Sequence, residues 1–128
     1  MENDIKLTCL VLEPVALVAE DLLTMVEDAM PGTRMLMAST PERAAEILRD
    51  HRVDIAFLNL SPVALARTGL VERLEAMRAM VVLMGHEGSD VPAQFRVLEL
   101  PFVRSTVTHE LRTAMQRLSG IGRENEGR

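Results

Sequence analysis

The sequence predicts an α/β fold, with a doubly wound, five-stranded parallel sheet in strand order 2-1-3-4-5 and helices on both faces. Three observations predict it. Short apolar runs alternate with stretches striped at helical spacing along the chain. The runs are apolar without polar alternation, as strands buried on both faces require. Right-handed crossovers, with the first strand near the middle, favour the doubly wound order. The 128 residues suit one domain, and 48% hydrophobic against 26% charged residues suits a globular core.

The first strand is residues 7–12, Leu7-Thr8-Cys9-Leu10-Val11-Leu12. Pro14 sits where a helix can begin, because proline lacks only an N–H that would be unpaired there. Val18, Leu22, Met25, Val26 and Ala29 stripe that helix, and Pro31-Gly32 stops it. Residues 34–38 read as the second strand. Thr40-Pro41-Glu42 starts the next helix: Thr40 caps it, Pro41 takes the first position, and Glu42 suits the positive dipole end. Ala44, Ala45, Ile47 and Leu48 form its apolar face, and His51-Arg52 close it.

Residues 55–60 are the third strand, ended by Ser61-Pro62. Leu70, Val71, Leu74 and Met77 mark a helix whose start is blurred by Gly69. Residues 80–84 are the fourth strand, ended by Gly85-His86-Glu87-Gly88. Residues 90–95 have room for only a turn or two, so the fourth helix is expected to be shortened. Residues 96–100 are a short fifth strand, ended by Pro101. Val107, Leu111, Ala114, Met115 and Leu118 stripe the last helix. The domain is expected over residues 1–118, with 119–128 a polar, disordered tail.

Composition removes several functions. The net charge of −5 argues against nucleic-acid binding, and three Phe without Trp or Tyr leave little to stack on bases. No apolar run reaches the roughly 18 residues of a membrane helix, and Met1-Glu2-Asn3-Asp4 lacks a signal-peptide layout. A cytoplasmic protein without membrane contact is expected. Cys9 reads as a buried strand thiol. His51, His86 and His109 fall in separate elements, so no metal site is expected. No Gly-x-Gly-x-x-Gly, phosphate loop or Gly-x-Ser-x-Gly elbow occurs, so no cofactor is expected. Glu13 with His86 has no nucleophile beside it, so the chain is not expected to be an enzyme.

In a doubly wound sheet the crevice lies beyond the carboxyl ends of the strands. Glu13, Pro14, Asn59, Met84, Gly85, Leu100 and Pro101 occupy those ends. Four stretches there resemble the receiver domain of response regulators in two-component systems. Leu10-Val11-Leu12-Glu13 with Ala19-Glu20-Asp21-Leu22-Leu23 resembles the first strand, acidic turn and first helix. Asp54-Ile55-Ala56-Phe57-Leu58-Asn59-Leu60 resembles the phosphoacceptor strand, with Asn59 at the acceptor position. Val81-Val82-Leu83-Met84-Gly85-His86-Glu87 resembles the strand that normally ends in Thr or Ser. Val97-Leu98-Glu99-Leu100-Pro101-Phe102 resembles the Leu-x-Lys-Pro-Phe signature. The resemblance spans residues 5–118 and implies the flavodoxin-like, CheY-like α/β/α arrangement, with a cis peptide bond before Pro101.

The departures define the expectation. The resemblance implies two acidic residues and an acceptor aspartate holding Mg²⁺, but those positions are Glu13, Pro14 and Asn59. An amide is a far weaker nucleophile than a carboxylate. Met84 replaces the hydroxyl residue, and Leu100 replaces the lysine. The sole lysine, Lys6, lies at the other end of the first strand, about 20 Å away at ~3.3 Å per residue. None of Asp4, Asp21, Asp28, Asp50, Asp54 and Asp90 lies at a strand's carboxyl end.

A degenerate, non-phosphorylatable pseudo-receiver is therefore expected, standing alone and acting through protein–protein interaction. The resemblance implies a histidine kinase or phosphotransfer protein as partner, docking near the first and last helices. Arg104, Arg112 and Arg117 offer charge to an acidic partner, and equally read as a solvated face. A homodimer through Phe95, Val97 and Phe102 is a further expectation. The alternative is a small-ligand sensor using an apolar crevice around Met84, Leu100 and Phe102.

Overall fold

The computed structural model describes residues 6–85 and 95–126, with side chains through Gly120. Five strands, β1 (Thr8–Leu12), β2 (Arg34–Ala38), β3 (Ile55–Leu58), β4 (Met80–Met84) and β5 (Arg96–Leu98), form one sheet. All neighbours pair in parallel, in the order β2-β1-β3-β4-β5. The helices are α1 (Ala16–Ala29), α2 (Pro41–Asp50), α3 (Pro62–Thr68), α4 (Leu70–Ala76) and α5 (Arg104–Glu126). The expected fold class is the observed one.

Strand side chains alternate between faces, so each strand feeds two cores. Cys9, Val11, Ile55, Phe57, Val82 and Met84 pack with Leu22 and Val26 of α1 and Val107 and Leu111 of α5. Leu10, Leu12, Ala56, Leu58 and Leu83 pack with α2, α3 and α4 through Ala44, Ile47, Leu65 and Leu74. The sheet is thus covered on both sides, which explains why its strands read as continuous apolar runs. Burial also pushes the Cys9 thiol far above its ordinary range, with the Asp54 carboxylate adding to the effect, so Cys9 is an inert core group.

Several boundaries differ from expectation for identifiable reasons. α1 begins at Ala16 rather than Pro14, because residues 14 and 15 belong to the turn that carries Glu13. A helix not expected from the apolar pattern, α3, follows Ser61-Pro62. The Ser61 hydroxyl accepts the Ala64 N–H at 3.1 Å, and Pro62 takes the first helical position. Gly69, at φ 73°, ends α3 and admits the chain into α4. At the far end, α5 continues to Glu126 rather than stopping near Leu118. Arg123, Glu124 and Glu126 are good helix formers and outweigh the glycines that suggested a tail. β3 stops at Leu58 and β5 at Leu98, each two residues short of the apolar run. The shortened helix expected over residues 90–95 lies outside the described residues, except for Phe95. Among the described residues, no helix is long and apolar enough to cross a membrane.

Candidate functional site at the carboxyl end of the sheet

Register brings the site together. Leu12 pairs with Leu58 across β1 and β3, so the next residues, Glu13 and Asn59, emerge side by side. The Asn59 N–H donates to the Leu12 carbonyl at 2.8 Å, and the Glu13 N–H donates to the Ala38 carbonyl at 3.0 Å. These bonds extend the ladders past the last strand residues and fix both backbones.

The Glu13 side chain is buried, only 3% exposed, and both its oxygens are engaged. The Asn59 Nδ2 donates to Glu13 Oε1 at 2.8 Å. The Val15 N–H donates to Glu13 Oε2 at 2.9 Å. Val15 precedes the first turn of α1 and has no side chain able to cap, so Glu13 ties the helix entrance to the end of β3. The carboxylate satisfies donors that would otherwise be orphaned there.

The remaining candidate positions separate. Pro14 is exposed in the turn and offers no polar side chain. Met84 is fully buried, on the same sheet face as Met80 and Val82, and packs into the α1–α5 core. It does not line the crevice, which corrects the expected Met84, Leu100 and Phe102 lining. Leu100 is 40% exposed and covers Gly85: a Cβ on Gly85 would lie 3.2 Å from Leu100 Cδ1 and 3.8 Å from Asn59 Oδ1. Gly85 has φ 80°, so the close approach and the backbone both favour glycine. The Leu100–Pro101 peptide bond is cis. His86 lies outside the described residues.

Among the described residues, Lys6, Asp54, Asp28 and Glu110 stand apart from Glu13 and Asn59. The Lys6 side chain lies against Gly32, in the turn at the opposite end of the sheet. Asp54 accepts the Thr8 N–H at 2.8 Å, at the amino ends of β1 and β3. Asp28 pairs with Arg104 at 2.7 Å. Glu110 is buried and bonds to Arg96, tying α5 to β5. That hydrogen bond, above all, raises the Arg96 guanidinium further, so it stays charged.

A divalent cation does not fit these residues. A hard cation takes several carboxylate, carbonyl and water oxygens. Among the described residues Glu13 supplies the one carboxylate at this position, and each of its oxygens already accepts an N–H donor. Among the described residues, no group of three or more His, Cys, Asp or Glu is placed to hold a metal.

Two grooves open near this end. One, of about 360 Å³, runs between α1 and the β5–α5 loop, lined by Val18, Asp21, Met25, Leu100, Pro101 and Phe102. The other, of about 410 Å³, lies between β5 and the start of α5, with Glu99, Ser105, Thr106 and His109 in its more polar lining. The groove along α1 was only partly foreseeable, since Leu100 and Phe102 were expected there but Val18, Asp21 and Met25 were not.

Solved structures similar to this chain include response regulators and receiver domains. A two-component transcriptional regulator, AraC, of Clostridium phytofermentans matches at TM-score 0.75 and 16% identity, over 93% of this chain and 99% of the other. A CheY-like response regulator receiver domain of Methylobacillus flagellatus matches at TM-score 0.71 and 16% identity, over 86% and 99%. The receiver domain of a Pseudomonas aeruginosa sensor histidine kinase, described with a magnesium ion in its active-site cleft, matches at 0.62 and 17%, over 88% and 97%. At these identities the likeness establishes the fold. No family model matches the chain, and no curated protein matches it.

Proposed function

We propose that this chain is a receiver-fold signalling module that takes no phosphoryl group and acts by docking to another protein of a two-component or phosphorelay pathway. The observation that carries the reading is the Glu13–Asn59 contact. At the position where receivers present a nucleophilic carboxylate, this chain presents an amide whose N–H₂ is donated to the one neighbouring acid. An amide nitrogen shares its lone pair with the carbonyl and does not attack phosphorus. The surroundings support the same reading. The Pseudomonas receiver is described as holding magnesium in its cleft, whereas here, among the described residues, the one acid at this position holds an N–H donor on each oxygen. Met84 supplies no hydroxyl, and Leu100 supplies no cation.

Docking is the activity left to such a module, and histidine kinases or phosphotransfer proteins are the partners implied by the resemblance. Self-association through Phe95, Val97 and Phe102 has weaker support, because Phe95 and Phe102 pack against the two cores. Small-ligand sensing keeps the groove beside Leu100 and Phe102 but loses Met84 from its lining.

Beryllofluoride with Mg²⁺ mimics a carboxylate-bound phosphoryl group and tests the reading without covalent chemistry. Amide spectra of the labelled chain are expected to stay unmoved at Glu13, Asn59 and Gly85 during the titration. Saturable shifts at those three positions would overturn the proposal.

A further inference from the structure

At the opposite end of the sheet from Glu13, three arginines line one cleft. Arg52 lies between α2 and β3, Arg78 lies between α4 and β4, and Arg117 lies on α5. β3 and β4 are paired neighbours, with Ile55 opposite Met80, so the first two arginines stand side by side. Met77, Ala114 and Leu118 are the apolar part of the lining. All three arginines are exposed, and none forms an ion pair among the described residues. Asp54 is the one acid in the lining, and its Oδ2 accepts the Thr8 N–H at 2.8 Å. The cleft therefore carries an excess of positive charge in a chain whose net charge is −5.

The backbone singles out Arg78. Its φ is 61°, and among the described residues every other left-handed position is a glycine: Gly32, Gly69 and Gly85. Arg78 follows the end of α4 in a Schellman turn, where glycine is the usual choice. Its N–H donates to the Glu75 carbonyl at 3.0 Å, and the Ala79 N–H donates to the Leu74 carbonyl at 2.9 Å. A Cβ is strained in this conformation, and strain that glycine would relieve points to a task for the side chain. Basic side chains at a helix's carboxyl end often complement its last carbonyls. Here backbone donors already do so: the Schellman bonds close α4, and the His51 N–H donates to the Ile47 carbonyl of α2 at 2.9 Å.

Size and charge define the occupant. The cleft holds about 10 Å³, room for one water-sized group, so an anion sits at its mouth with the guanidinium groups around it. A second cavity, of about 140 Å³, shares Arg117 and is lined on its apolar side by Met80, Val81 and Phe95. Glu75 and Arg96 are on its polar side, and Arg96 is held by Glu110. Guanidinium groups match phosphate oxygens with paired N–H donors. Beyond the lining the signs are mixed. Arg49 and Asp50 end α2, Arg73 and Glu75 lie in the last turn of α4, and Lys6, Arg34 and Glu27 stand toward β1 and β2. No continuous basic track extends from the cleft to hold a polyanionic chain. A single phosphate with a small body fits better.

We propose that this cleft at the amino end of the sheet binds a small organic phosphate monoester, without any covalent change. Arg52, Arg78 and Arg117 hold the phosphate, and the apolar body of the ligand enters the cavity beside Met80, Val81 and Phe95. The site is separate from Glu13 and Asn59, which stand at the other end of the strands, and it does not depend on the protein-docking reading above.

The test titrates the full chain, isotopically labelled, with phenyl phosphate, inorganic phosphate and phenol. Phenyl phosphate is expected to shift the amides of Arg52, Asp54, Arg78 and Ala79 saturably, leaving Glu13 and Asn59 unmoved. Inorganic phosphate is expected to shift Arg52 and Arg78 with lower affinity, and phenol alone to shift neither. Arg78→Gly relieves the left-handed strain, so it is expected to raise the thermal midpoint while weakening phenyl phosphate about tenfold, as loss of a charged hydrogen bond does. That variant keeps loss of binding distinct from loss of folding. Arg117→Gln is expected to weaken binding by a similar factor. Arg112→Gln, which removes the same charge from an exposed position of α5 outside the lining, is expected to leave it unchanged. No saturable binding, equal affinity for phenyl phosphate and inorganic phosphate, undiminished binding by Arg78→Gly, or an equal loss in Arg112→Gln and Arg117→Gln would overturn the proposal.

Discussion

Replacing Phe57 with alanine is expected to lower the unfolding free energy by about 4 kcal/mol, measured by chemical denaturation. Phe57 is fully buried in the central strand β3, among the largest side chains of the core between the sheet and α1–α5. Truncation loses the transfer energy of the ring and leaves a cavity that close-packed neighbours fill only in part. A loss of that size is a large fraction of the roughly 5–15 kcal/mol that holds a domain folded. Phe57 also lies two residues before Asn59 on the same strand, so its loss is expected to broaden the Asn59 signal before global unfolding begins. A loss below about 1 kcal/mol would mean that β3 is not packed as described.

Replacing Glu13 with alanine is expected to cost about 2–3 kcal/mol, for a different reason. No large apolar volume is removed. Instead the Asn59 amide loses its acceptor, and the N–H at the entrance to α1 loses its cap. Both bonds are part-buried, so each donor left without its acceptor adds a desolvation cost to the lost bond. Glu13→Gln separates the two contacts. A glutamine carbonyl can still accept from Asn59, but its N–H₂ cannot accept from Val15. About half the loss is therefore expected for Glu13→Gln, with the Asn59 side-chain amide signals close to their original positions. If alanine and glutamine cost the same, the Glu13–Asn59 bond is not the stabilising contact.

Much of the fold is legible in the sequence, because burial on both faces leaves unbroken apolar runs and capping leaves residue signatures. Thr40-Pro41 announces α2, and the Thr40 hydroxyl accepts the Arg43 N–H at 3.1 Å, as that pair of residues suggests. Ser61-Pro62 carries the same signal for α3. It is overshadowed because a seven-residue helix shows no full apolar stripe and Gly69 breaks the continuation. The extension of α5 is hidden by composition, since glycine and polar residues describe a tail as well as an exposed helix end.

The site divides in the same way. The identities at Glu13, Pro14, Asn59 and Leu100 are visible in order and spacing alone. The contact between Glu13 and Asn59 is not, because it depends on the register of two strands whose residues lie 46 apart in sequence. The burial of Met84 could have been read from Met80 and Val82, which share its sheet face by alternation. Attention to its place at the strand end obscured that pattern. The sole lysine illustrates the converse, since its position near the start of β1 is enough to remove it from the site, and it rests against Gly32.

The central claim is that this chain takes no phosphoryl group, and intact mass after exposure to acetyl phosphate and Mg²⁺ tests it most directly. The account predicts an unchanged mass at saturating phosphodonor, for the native chain and for Asn59→Gln alike. A stoichiometric gain of one phosphoryl group on the native chain, lost again in a variant at a single acidic residue, would contradict it.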